Sequence, residues 1–215
     1  MSALEAPSLK EVTLSTGFAA SRLIIAAGAL LSACSTSGSS GFAPSDRQPP
    51  EGVATLMVGR RTLDDDVAWD QLDEHSMFGF EYASCGESGL GFDMAMSFSG
   101  ETTEDPGSGV DVTGSLLETD FGGRYTFSGL PVYPYLQAGL GFVLASVEAE
   151  SGGITASDED VSLGLYFGGG VYAVLGSSFL VGVSVRALTG TSVEIVGIDT
   201  EADHQEAAVL IGWSL

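Results

Sequence analysis

The chain has 215 residues, 44% of them hydrophobic, with 30 glycines and a formal net charge of −22. That charge excludes nucleic acid as a natural partner, because phosphates would be repelled rather than neutralised. No apolar run is long enough for a membrane-spanning helix.

In chain order, the first feature is a short apolar run. Arg22 precedes residues 23–31, LIIAAGALL, and Ser32, Ala33 and Cys34 follow. This resembles a bacterial lipoprotein signal, with Leu31-Ser32-Ala33-Cys34 matching a lipobox in which small residues admit the peptidase and the cysteine thiol receives the lipid. The resemblance implies that residues 1–33 are a signal peptide and that Cys34 is the lipidation site. The first 20 residues, with Glu5 and Glu11, depart from the pattern by being long and poorly basic for its leading segment. Residues 34–52 are Ser/Gly/Pro-rich without periodicity and read as a flexible tether.

Residues 53–215 alternate between strand-like and turn-like segments. Eight strand-like segments lie near 53–63, 76–84, 90–100, 115–127, 132–147, 161–175, 179–189 and 205–215. The fifth shows the pattern plainly: Leu136, Ala138, Leu140, Phe142 and Leu144 fall on one face, and Tyr135, Gln137, Gly139, Gly141 and Val143 on the other. Comparable apolar faces come from Leu90, Phe92, Met94, Met96 and Phe98, and from Val209, Ile211, Trp213 and Leu215. The opposite faces collect the glycines together with Glu81, Asp93, Glu118, Asp120, Arg124, Arg186 and Glu206. A soluble sandwich buries its apolar face and wets its charged one. An apolar exterior around a polar interior is the pattern of a closed barrel with lipid as its outer solvent.

The connections alternate in length. Those near 85–89, 128–131 and 176–178 are short, and those near 64–75, 101–114, 148–160 and 190–204 are long and acidic. On these features residues 53–215 resemble the small eight-stranded outer-membrane barrels of Gram-negative bacteria, of the OmpA/OmpX type. The resemblance implies an all-β, eight-stranded antiparallel up-and-down transmembrane β-barrel, with N-terminus and short turns periplasmic and long loops extracellular. Its implied surroundings are outer-membrane lipid and lipopolysaccharide, with the barrel-assembly machinery as a partner during biogenesis and no extracellular partner specified. The last strand, with Trp213 and Leu215, is similar to the C-terminal assembly signal of that class but ends in Leu rather than an aromatic residue.

Candidate chemistry is sparse. His75 beside Asp73 or Ser76, and His204 beside Asp203, are the only acid/His or Ser/His arrangements available to an outer-membrane hydrolase. Neighbours on a strand point to opposite faces, which counts against these pairs. Asp64, Asp65, Asp66, Asp158, Glu159 and Asp160 are candidate oxygen ligands for Ca²⁺, although a solvated acidic surface explains them better. No cofactor or metal is expected, and Cys85 reads as an incidental thiol. Inside the barrel Arg124 is expected to pair foremost with Glu118 and Asp120 of its own strand, and with Glu81 and Asp93 of adjoining ones. The inward acids outnumber the inward arginines, so at least one carboxyl should be protonated or reach solvent near a rim, with Glu206 the candidate. Tyr135, Tyr166 and Tyr172 should help to fill the interior and leave no stable pore. The leading functional expectation is a structural or surface-interaction barrel without catalysis. The alternatives are a membrane-embedded hydrolase of lipid or peptide, and a soluble lipid-anchored ligand-binding barrel.

Overall fold

The computed structural model describes residues 48–64, 72–105, 110–151, 154–195 and 197–215. The signal segment, most of the tether, Cys34, Asp65 and Asp66 lie outside the described residues.

The barrel is formed by β1 (Gly52–Leu63), β2 (Glu74–Ser84), β3 (Leu90–Asp105), β4 (Val110–Thr126), β5 (Tyr133–Ser151), β6 (Ile154–Leu175) and β7 (Phe179–Thr189). A small hairpin follows, β8 (Val193–Ile195) with β9 (Ile198–Thr200), and β10 (His204–Ser214) completes the wall. Strand order is β1-β10-β7-β6-β5-β4-β3-β2, closed, with every neighbouring pair antiparallel. Closure pairs each strand on both sides and leaves no sheet edge along the closed part of the wall. Among the described residues there is no helix.

The period-2 pattern decides which face is which. Phe78 and Leu90 are each 62% exposed, and Phe98, Leu140, Leu163, Val209 and Trp213 stand on the same outer face. In water an apolar surface of this extent would drive association, whereas hydrocarbon solvates it. Short turns close one end, where Gly129 (φ 79°) and Gly176 (φ 66°) supply backbone conformations that side chains disfavour. The interior holds one apolar cluster around Met57, Tyr135, Tyr172 and Leu210, and another around Leu116, Tyr166, Leu188 and Val193.

Two of the four long connections are largely strand. β3 runs to Asp105 and β4 starts at Val110, while β5 runs to Ser151 and β6 starts at Ile154. The acids at Glu104, Asp111, Glu148 and Glu150 mask the alternation, yet the segments keep β-branched residues (Thr102, Thr103, Val112, Thr113) that favour the extended chain. β2 pairs with β3 only as far as Gly100, and β7 with β6 only as far as Leu165. Strands β3–β6 therefore rise past their neighbours as a raised wall. The hairpin β8–β9 was not legible as strand, since each arm is only three residues long.

Candidate functional site: a charged network inside the barrel

Three arginines organise the interior. On β1, Arg60 points outward and meets Glu74 at 2.7 Å, while Arg61 points inward and is fully buried. The Arg61 guanidinium binds Glu118, Glu206 (2.9 Å), Ser97 Oγ (2.7 Å) and Ser99 Oγ (3.2 Å). Arg186 on β7 binds Asp120, Glu81 (3.0 Å) and Glu206 (3.6 Å). Arg124 on β4 binds Glu81 (2.6 Å), Asp93 (2.8 Å) and the side-chain Oε1 of Gln137, with its guanidinium 4.0 Å from the centre of the Tyr135 ring. Tyr166 donates its hydroxyl to Asp93, and His204 Nε2 lies 3.0 Å from Glu118 Oε2. Shared partners join all of these groups into one network: Glu206 links Arg61 to Arg186, and Glu81 links Arg186 to Arg124. Arg61, Asp93 and Glu118 are each 0% exposed, so the barrel is filled rather than open at this level.

The seven inward residues singled out by parity all lie in this network, and Arg124 has the partners expected on adjoining strands but not those expected on its own. Arg124 binds Glu81 and Asp93, not Glu118 and Asp120. The reason is strand geometry: at about 3.3 Å per residue, Asp120 sits roughly 13 Å and Glu118 roughly 20 Å along β4 from Arg124. Residues on facing strands come closer, and Glu118 and Asp120 go to Arg61 and Arg186 instead. Glu206 is 4% exposed and held by Arg61, so it does not reach solvent at a rim.

Four members were missed: Arg61, His204, Ser97 and Ser99. β1 places Val53, Met57 and Leu63 inside and Leu56 and Val58 outside, so hydrophobicity does not distinguish its faces. Adjacent arginines at 60 and 61 were the available signal, since only one of two neighbours can point inward.

The acid/His pairs do not form. Asp203 turns away from His204 and accepts from Thr189 Oγ1 (2.7 Å), Gly190 N (2.9 Å), Thr191 N (2.8 Å) and Thr191 Oγ1 (2.6 Å). Partial burial works against its charge, but these hydrogen bonds outweigh it and hold the carboxyl below the usual carboxylate range. His75 is buried with Nδ1 3.4 Å from Ser99 Oγ, whereas Asp73 is exposed ahead of β2 and Ser76 is exposed on the other face of the strand. Among the described residues the remaining Ca²⁺ candidates, Asp64, Asp158, Glu159 and Asp160, form no cluster. Asp158 and Asp160 face one side of β6 and Glu159 the other, while Asp160 accepts Val161 N and Glu194 N, both at 2.8 Å.

Among the described residues, Glu118, His204 and Glu206 have ligand-type atoms within 4.8 Å of one another. Arg61 already places a guanidinium nitrogen against both carboxylates, so the position a metal would take is filled by a cation of the chain itself.

No protein-family model and no curated protein matches the chain. Among solved structures, the outer-membrane protein OprG from Pseudomonas aeruginosa superposes with a TM-score of 0.54 at 14% identity, covering 76% of this chain and 96% of that one. Ail, the attachment invasion locus protein of Yersinia pestis, gives 0.52 at 14% identity, covering 77% and 99%. Ail in complex with the heparin analogue sucrose octasulfate gives 0.50 with the same identity and coverage. These likenesses are of fold: the chain has the eight-stranded barrel architecture of outer-membrane proteins.

Proposed function

We propose that the chain is a bacterial outer-membrane barrel protein with a structural or surface-contact role, neither an enzyme nor an open channel. The observation that carries this reading is the pairing of a lipid-type exterior with a filled, ion-paired interior. A soluble ligand-binding barrel would need the outer face polar and the inner face free. A hydrolase would need His75 or His204 poised beside a nucleophile or water in a cleft, whereas both are buried and bound within the network.

In this reading the N-terminus and short turns lie in the periplasm, Cys34 carries the lipid, and the raised wall and β8–β9 face outward. The connections 64–73, 101–114, 146–164 and 189–203 contain no Lys or Arg. Ail's solved complex is with an anionic heparin analogue. An all-acidic outer end would repel such a ligand, so the contact expected here is with a cationic surface, or with lipopolysaccharide through bridging divalent ions.

Protease shaving of intact cells, followed by membrane fractionation, tests the reading. Cleavage within 64–73 or 190–203, protection of the 85–89 turn and heat-modifiable migration in the outer-membrane fraction are expected. Recovery as a soluble periplasmic protein would overturn it.

A further inference from the structure

The hydrogen bonds around His204 fix the state of its ring. Nδ1 lies 2.9 Å from the Ala202 carbonyl oxygen and Nε2 lies 3.0 Å from Glu118 Oε2. A carbonyl oxygen can only accept, and Glu118 Oε2, ion-paired with the Arg61 guanidinium, is a carboxylate oxygen that likewise only accepts. Both ring nitrogens must therefore donate, which only the imidazolium does. His75 differs: its ring is buried beside the Arg61 guanidinium, and burial and that neighbouring positive charge both disfavour a second cation there, which keeps the ring neutral.

The charges then fall one short of balance. Arg61, Arg124, Arg186 and His204 face five carboxylates, Glu81, Asp93, Glu118, Asp120 and Glu206. An uncompensated charge at this depth is costly. Its location is marked by carboxylate oxygens lacking a hydrogen-bond donor, which are Glu81 Oε1, Glu118 Oε1, Asp120 Oδ1 and Glu206 Oε1. Two of these have a guanidinium nearby: Glu81 Oε1 lies 2.6 Å from Arg124 and Glu206 Oε1 lies 3.6 Å from Arg186. The other two overhang the bare backbone of Gly141, where an added Cβ would lie 2.7 Å from Asp120 Oδ1 and 3.6 Å from Glu118 Oε1. Around them stand Arg61 of β1, Tyr166 of β6, Arg186 and Leu188 of β7, and His204 and Glu206 of β10. None of these supplies a donor to either oxygen.

We propose that Glu118 and Asp120 form a buried proton-binding site, sharing one proton over Gly141, and that this proton together with the His204 imidazolium brings the barrel interior to neutrality. Asp120 is the carboxyl that gains most from it, because Glu118 is already neutralised by Arg61 and His204. The protonated carboxyl is isosteric with an amide. Asp120→Asn thus removes the need for the proton and keeps the packing.

Infrared spectra of the folded protein at neutral pH test the site. The wild type should show the carbonyl stretch of a protonated carboxylic acid, shifted in D₂O, and Asp120→Asn should lose it while keeping the wild-type urea midpoint. Asp93→Asn, which removes a carboxylate bound by both Arg124 and Tyr166, should lower the midpoint and retain the band. Nitrogen chemical shifts of His204 in the wild type should be those of an imidazolium. The proposal is overturned if the wild type lacks the band, if the band survives in Asp120→Asn, or if Asp120→Asn loses much of its stability. It is equally overturned if His204 is a neutral ring, or if the wild type retains a stoichiometric metal ion that Asp120→Asn loses.

Discussion

The barrel interior and the raised wall of β3–β6 both gather carboxylates and treat them in opposite ways. Inside, every acid of the network contacts an arginine, because a buried charge without a partner costs several kcal/mol. On the wall, Glu104, Asp111 and Glu150 stand directly opposite one another across β3, β4 and β5, all exposed. Water screens that row, and like charges so placed cost only about 0.2–1 kcal/mol per pair. The medium, rather than the charge count, decides where a counter-ion from the chain is required. The wall uses its acids for another purpose. Beyond Leu165, β6 has no pairing from β7, and Asp158 and Asp160 accept the backbone N–H groups of Glu159 (3.0 Å) and Val161 (2.8 Å). Asp160 also accepts Glu194 N of β8 (2.8 Å), so this acid ties the small hairpin to β6 above the point where β7 leaves it.

The contrast can be broken most forcefully from the inside. Arg124→Leu leaves Glu81 and Asp93 short of a buried cation and should cost about 3–5 kcal/mol in urea unfolding. Arg60→Leu, which loses only an exposed pair with Glu74, should cost under about 1 kcal/mol in the same assay. A smaller effect is expected at the joint between the regions, where Asp203→Ala removes the acceptor that ties Thr189, Gly190 and Thr191 and should cost about 1–3 kcal/mol. Because the native Asp203 carboxyl lies below its ordinary range, its contribution is fully present above the unfolded value and is lost as pH falls through the native one. The difference between wild type and Asp203→Ala should therefore shrink in acid, as read from paired urea titrations. On the wall the sign reverses: Asp111→Thr interrupts the acidic row and should stabilise by about 0.2–1 kcal/mol at low salt, with the gain fading as salt is added. For the lipid anchor proposed at Cys34, Cys34→Ser should abolish palmitate labelling and leave the urea midpoint of the barrel unchanged.

Much of the fold was readable because one chemical rule, apolar outside and polar inside, repeats along each strand at period 2. Leu136 to Leu144 and Phe179 to Ala187 obey it on the outer face throughout, and on the inner face except at Val143 and Leu180. It failed where both faces share a character: β1 is apolar on each side, which hid Arg61, and the upper parts of β3–β6 are polar on each side, which read as loops. Pairing partners were less legible than placement. Parity says that Arg124 is inside, but the strand register that sets Glu81 and Asp93 beside it is not contained in a period. His204 was hidden by its neighbour, since Asp203 beside it suggested a local pair while its actual partner is 86 positions away.

The central claim, that β5 turns its leucines and phenylalanine to lipid and its small residues to a sealed interior, is tested most directly by single-cysteine spin labels in a background lacking Cys34 and Cys85. Labels at Leu140, Phe142 and Leu144 should be accessible to oxygen dissolved in the bilayer, and labels at Val143 and Ala145 should be shielded from both oxygen and a water-soluble relaxant. Accessibility that fails to alternate along these positions, or that alternates with the opposite phase, would contradict the account.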